Sequence, residues 1–166
     1  MGAPALPLEN TDEVVAVAWI ASIPGLSSAM VGTQLPDPVD ANGMRAPWLT
    51  TGFVTVAVVG GTPGDMLPVN RPVIQVDCWT SVPGSNKPPW LMAAALASAI
   101  RRATWDRYTI ARPLAITANG VVYPSAVVQS AYMATSFRRT YDDPGDYAQY
   151  QGDLALSWVT VNDHLD

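Results

Sequence analysis

The chain has 166 residues, 49% of them hydrophobic, with a formal charge of −5 and a single cysteine. That length fits one domain able to bury roughly two thirds of its unfolded surface, and no apolar run approaches the ~20 residues that span a bilayer. Cys78 alone excludes an intrachain disulfide framework and suits a reducing compartment, while the negative charge weighs against an affinity for nucleic acid built on neutralised phosphates.

The first residues lack the basic start and long apolar core of a secretory signal, so synthesis in the cytoplasm is expected. Asn10 reads as the cap of a first helix, with Glu13 three residues on as in a capping box, and Asp12 and Glu13 suit the positive helix end. Val14, Val17, Ala18 and Ala21 supply an apolar stripe, and Pro24 and Gly25 end it. Residues 33–50, with TQLPDP, Asp40, Asn42-Gly43 and APW, read as a long loop or irregular hairpin. Loops of that length are often functional or order when a partner binds. Trp48 closes the loop just after a proline, and both packing on the domain and contact with a partner are open to it.

Residues 53–59 read as a strand apolar on both faces, closed by a turn at 60–65. That glycine-rich turn lacks the Gly-Lys-Ser/Thr ending of a phosphate loop. Residues 73–79 alternate: Ile74, Val76 and Cys78 to one side, Gln75, Asp77 and Trp79 to the other, a half-buried strand. Cys78 reads there as a small apolar residue rather than a catalytic thiol. After turn chemistry at 82–86, Pro88 and Pro89 fit a first helical turn, Met92, Leu96, Ala99, Ile100 and Ala103 recur at helical spacing, and Arg101 and Arg102 suit the negative helix end.

Residues 106–123 carry no clear period; an irregular strand is the nearest match, with Asn119-Gly120 marking a turn. Val127, Ala131, Met133 and Phe137 then share one side of a strand, and Ser130, Tyr132, Ser136 and Arg138 the other. A last strand sets Tyr150, Leu154, Leu156 and Trp158 against Gln151, Asp153 and Ser157, and the polar stretch 142–146 pairs the two as a hairpin. Arg138 and Arg139 with Asp142, Asp143 and Asp146 form either a local charge network or a hairpin end that meets a neighbour. The expected architecture is α+β: one domain over 1–166 with short flexible termini, a mostly antiparallel sheet, and two main helices packed on one face.

Little in the composition speaks for catalysis. The sole histidine, His164, lies in the last residues, where chain ends fray, and is poorly placed as the base of a Ser–His or Cys–His site. Asp77, Asp106 and Asp153 could serve as acid, base or metal ligands, yet no spacing sets them apart from strand-edge and turn polarity. No catalytic, cofactor or metal residue is assigned. Trp19, Trp79, Trp90, Trp105 and Trp158 read as core residues. Eight arginines against one lysine, Lys87, favour multidentate contacts with carboxylates, or reflect base composition.

A first helix after a short arm, a strand ending in tryptophan (VIQVDCW), a proline-led alanine-rich helix (PPWLMAAALASAIRRA) and a closing hairpin ending in YAQYQGDLALSWVTV together resemble the tail-terminator, or tail-completion, proteins of long-tailed bacteriophages. The likeness runs over residues 12–161. It implies a non-enzymatic virion protein, without cofactor or membrane contact, that forms a hexameric ring on the head-proximal end of the tail tube. The ring stops tail polymerisation, offers a docking surface to the head-completion or connector protein, and lets double-stranded DNA pass through its lumen. A head-to-tail contact that closes under rotation makes such a ring and needs two complementary side surfaces. On this reading Arg101, Arg102, Arg107, Arg112, Arg138, Arg139, Asp142 and Asp143 are expected at the subunit interface. Leu35, Asp37, Asp40, Arg45 and Trp48 are expected to contact the tail tube or neck, and Gln75, Asp77 and Tyr132 to face the lumen or a neighbour. The alternatives are another virion neck or tail subunit, a small carboxylate-dependent enzyme, or a ligand-binding α+β domain.

Overall fold

A computed structural model describes residues 8–64, 66–85, 87–140 and 146–161. Helix α1 spans Asp12–Ala21. Its cap is Thr11 rather than Asn10: Thr11 Oγ1 accepts the Val14 amide at 3.2 Å, while the Asn10 side-chain amide donates to the Pro124 carbonyl at 2.8 Å. The buried stripe is Val15, Ala16, Trp19 and Ile20, and the expected Val14, Val17, Ala18 and Ala21 pack half-buried along its flank. Trp19 and Ile20 are fully buried, and side chains of this size contribute about 1.5–3 kcal/mol each by leaving water.

A short 3-10 turn, Ser28–Met30, leads into β1, Val31–Gly32. Within the loop, Val39 bridges Arg45, and Asp40 Oδ1 accepts the Asn42 and Met44 amides at 2.9 and 2.8 Å. This Asx geometry satisfies the backbone of a segment too polar to bury. The chain continues as α2 (Trp48–Thr51), β2 (Phe53–Thr62), β3 (Arg71–Ser81), α3 (Trp90–Ala103), α4 (Arg107–Ile110), β4 (Pro113–Ala118), β5 (Val121–Arg139) and β6 (Tyr147–Thr160). Pro88 and Pro89 precede α3 instead of forming its first turn.

The α+β reading holds, with two refinements. The six-stranded sheet, in the order β1-β2-β3-β6-β5-β4, is mixed because β1 runs parallel to β2, and the short α2 and α4 join the two main helices. Residues 60–62 belong to β2, pairing with Arg71, Pro72 and Val73 past a bulge, so the turn begins later than expected. Only the first part of β2 is buried, through Phe53, Val54 and Val56, and the rest runs out into solvent.

Registers fix the faces. Val56, Val76 and Gly152 align across β2, β3 and β6, as do Ile74, Leu154 and Met133 across β3, β6 and β5. This is the side covered by α1 and α3, whose Leu96, Ala97 and Ile100 join the same core. Gly152 has a packing reason: a Cβ there would stand 3.0 Å from both Met133 Cε and Phe137 Cδ1. Bulges in β5 between Val128 and Ser130 and again beyond Met133 shift the pleat. Val127 therefore lies on the opposite side from Ala131, contrary to the simple alternation.

The region 106–123 resolves into a capped turn of helix and an edge hairpin. Asp106 caps α4, accepting from the Tyr108 amide and from Thr109 Oγ1 at 3.0 and 2.9 Å. Asn119 and Gly120, at φ 51° and 75°, make the two-residue turn between β4 and β5, and positive φ at both positions is what that turn type demands. The whole sheet curls. α1 touches β1 and β2 near one edge and β4 at the other, so the two edge strands approach each other across it.

Candidate functional site

The face of the sheet turned away from α1 and α3 is polar in its middle and aromatic at one end, where Phe53, Trp79 and Tyr147 lie. Thr55, Asp77, Gln151 and Arg138 form one row across β2, β3, β6 and β5, and Ala57, Gln75, Asp153 and Thr135 the next. Strand alternation alone puts them there, since Ile74, Val76, Cys78, Gly152 and Leu154 must face the core.

Asp77 is the centre of this face and only 8% exposed. Its Oδ1 accepts the side-chain amides of Gln149 and Gln151 at 2.8 and 3.0 Å, and its Oδ2 that of Gln75 at 3.1 Å. The outer atoms are tied in turn. Gln151 Oε1 accepts from Arg138 Nη2 at 3.4 Å, and Gln149 Oε1 from Thr140 Oγ1 at 2.7 Å. Beside them Thr135 Oγ1 donates to Asp153 Oδ2 at 3.2 Å and Trp79 Nε1 to Thr55 Oγ1 at 2.9 Å. Each of these side chains has its polar atoms engaged by a neighbour, and a connected network of this kind fixes side-chain positions. Chemically the face is a rigid, pre-satisfied surface suited to recognition.

The structure thus joins Gln75, Asp77 and Arg138 in one network and sets Tyr132 on the same face, opposite Ala155. Gln149 was missed in the sequence; with Gln151 it forms an i, i+2 pair in YAQYQGD, the strand signal that could have found it. Arg138 and Arg139 part company: Arg139 lies over the Trp90 ring, 4.5 Å from its centroid, and donates from Nε to the Tyr150 hydroxyl at 3.2 Å. Asp142 and Asp143 lie outside the described residues.

The other arginines divide as well. Arg112 is committed inside the chain, Nη2 donating to the Ser22 carbonyl and hydroxyl at 2.6 Å each and Nε to the Thr109 carbonyl at 3.2 Å. It ties α4 to the end of α1 and is half-buried there. Arg101, Arg102 and Arg107 are exposed, Arg101 over the Trp105 ring and Arg107 over the Tyr108 ring.

In the loop, Asp37, Asp40 and Arg45 are exposed and Leu35 is half-buried. Trp48 is a correction. It is 4% exposed, stacked on Tyr147, edge-on to Phe53, and donates from Nε1 to the Asp37 carbonyl at 3.4 Å, so it anchors the loop and is not an outward contact. Trp105 reverses the other way, 72% exposed where core packing was expected.

Asp77, Asp106 and Asp153 do not converge. Asp106 caps α4 on the helix side, and the hydrogen bond from Thr109 Oγ1, followed by that from the Tyr108 amide, holds its carboxyl below the usual aspartate range. Cys78 faces the core, where burial first and the neighbouring Asp77 charge second push its thiol well above the ordinary range. Among the described residues no group of three or more His, Cys, Asp or Glu has a metal-holding arrangement.

No family model and no curated protein matches the chain. Among solved structures, one protein bearing only a sequence identifier aligns over 92% of this chain and 96% of its own, at 12% identity and a TM-score of 0.36. So loose an overlap carries nothing about shared fold or function.

Proposed function

We propose that this protein is a structural ring subunit of the tail-terminator type, capping the head-proximal end of a phage tail tube and presenting a docking surface to the head. What supports the reading is the polar middle of the sheet face turned away from α1 and α3, in which Asp77, three glutamines and Arg138 are hydrogen-bonded together, with Trp48 closing the aromatic end over Tyr147 and Phe53. A sheet surface whose polar side chains are already bonded to one another serves assembly better than it serves a small substrate, which needs concavity. Turned to the lumen, it would present acidic and neutral groups in the main, with Arg138 tied back to Gln151, and so would let DNA phosphates slide past.

Electron microscopy of the purified protein, with its particle mass, tests this directly. Closed hexameric rings are expected, as is blocked elongation when the protein is added to growing tail tubes. Long cylinders would assign it instead to the tube subunits, and tubes that elongate unimpeded would sink the capping role.

A further inference from the structure

One corner of the molecule is basic and aromatic while the chain as a whole is acidic. Four of the eight arginines fall within residues 101–112, and the one acid in that stretch, Asp106, is occupied in capping α4. Trp105 and Tyr108 stand 72% and 81% exposed there. Arg101 packs over the Trp105 ring at 5.3 Å and Arg107 over the Tyr108 ring at 5.8 Å. Stacked guanidinium groups hold the aromatic rings in fewer conformations, so little side-chain entropy remains to be lost on docking. Exposed Trp, Tyr and Arg together are the composition of an interface hot spot.

A complementary feature lies at the other end of α1. The basic corner adjoins the helix's C-terminal end, where Arg112 holds Ser22 and Ile23 and Pro24 line a cleft with Arg102. Toward the N-terminal end, a groove of about 470 Å³ opens between α1 and the two sheet edges, floored by Val14, Val17, Val31, Ile116 and Tyr123, with Glu13 among its lining residues. None of the groove's lining residues belongs to α3 or α4, so knob and groove are separate surfaces of one molecule.

We propose that the Trp105–Tyr108 knob of one copy seats in the α1 groove of a second, with Arg101 and Arg107 meeting Glu13 and the exposed Glu9 nearby. Knob and groove are different surfaces, so the contact is head-to-tail and can propagate around a ring. This deepens the ring reading by naming its lateral contact, and it rests on that reading for closure alone.

The test is sedimentation of the full chain over a concentration series, with thermal melts to show that each variant is folded. Wild type is expected to self-associate. Trp105→Ala, and Arg101→Glu with Arg107→Glu, should weaken association about tenfold or more, equivalent to about 1.4 kcal/mol. Adding Glu13→Arg to the double variant restores opposite charges across the contact and should recover most of the loss. A monomeric wild type, unchanged association in the variants, or no recovery in the folded triple variant overturns the contact. So does binding of a single-stranded oligothymidylate that is lost in Trp105→Ala while self-association persists. Rings that ignore these substitutions would leave the ring reading standing without this contact. Knob-dependent association that never closes would do the reverse.

Discussion

The Gln149 side-chain amide reaches Asp77 Oδ1 at 2.8 Å from one row away, since Gln149 is the register partner of Trp79 and Gln151 that of Asp77. Asp77 therefore gathers donors diagonally as well as straight across, and β3 and β6 are locked by side chains on top of their backbone ladder. Asp77→Asn keeps the shape but turns amide hydrogens toward amide donors. A loss of about 1–3 kcal/mol is expected, from buried donors left without an acceptor. It would be read as a lower urea midpoint at unchanged slope.

Trp48 and Trp105 provide a paired test of burial. Trp48→Ala removes a ring packed on Tyr147 and Phe53 and should destabilise by about 3–5 kcal/mol. Trp105→Ala should change the stability of the isolated subunit by no more than about 0.5 kcal/mol. Thermal denaturation of the two variants at low protein concentration measures both.

Arg112→Lys should loosen the α1–α4 junction. A lysine cannot donate at once to the Ser22 carbonyl, the Ser22 hydroxyl and the Thr109 carbonyl as the guanidinium does. The expected loss is about 1–3 kcal/mol, with amides of α4 exchanging hydrogen faster than those of the central strands.

Cys78 should be inert to thiol reagents in the native state and react only as the protein unfolds. Its thiol titrates above the ordinary range because it is buried, so the folded state holds its proton where the unfolded chain, with a thiol pKa of about 8.5, releases it. Stability should accordingly fall as pH rises past about 8.5, by up to about 1.4 kcal/mol per pH unit from this group. Labelling rates and urea midpoints between pH 7 and 10 check both statements.

Replacing the loop tip at 40–44 with two glycines removes the Asp40 turn while leaving Trp48 and its anchor at Asp37 in place. If the loop touches the tail tube, the variant should fold with wild-type stability and fail to cap tubes; normal capping would assign the loop no part in docking.

The sheet was legible in the sequence where one face had to be dry. β3 and β6 alternate cleanly because Ile74, Val76 and Leu154 have helices above them and Gln75, Asp77 and Gln151 do not. That same alternation exposed most of the polar face in advance. Legibility failed where local chemistry overrode the period. Bulges moved Val127 across the sheet, and the four-residue helix capped by Asp106 was too short to show a repeat. Trp48 and Trp105 were settled by tertiary neighbours: Tyr147, on which Trp48 stacks, is 99 positions away in sequence, and Trp105 falls in the turn just past the end of α3, outside the helical period that packs on the sheet.

The curl that brings both sheet edges to α1 also sets an order of events in time. Asp12, at the start of the first helix, accepts the indole hydrogen of Trp158 at 2.8 Å, across 146 positions. Contacts of such separation are slow to form, because the loop must close before they repay it. Helix α1 therefore takes its final place only after distant segments have met, and the α1 groove, lined from residues 13–33 and 116–123, does not exist before then. A subunit whose sheet has not yet curled closed would have no groove to offer a neighbour, so assembly would wait for the folded molecule.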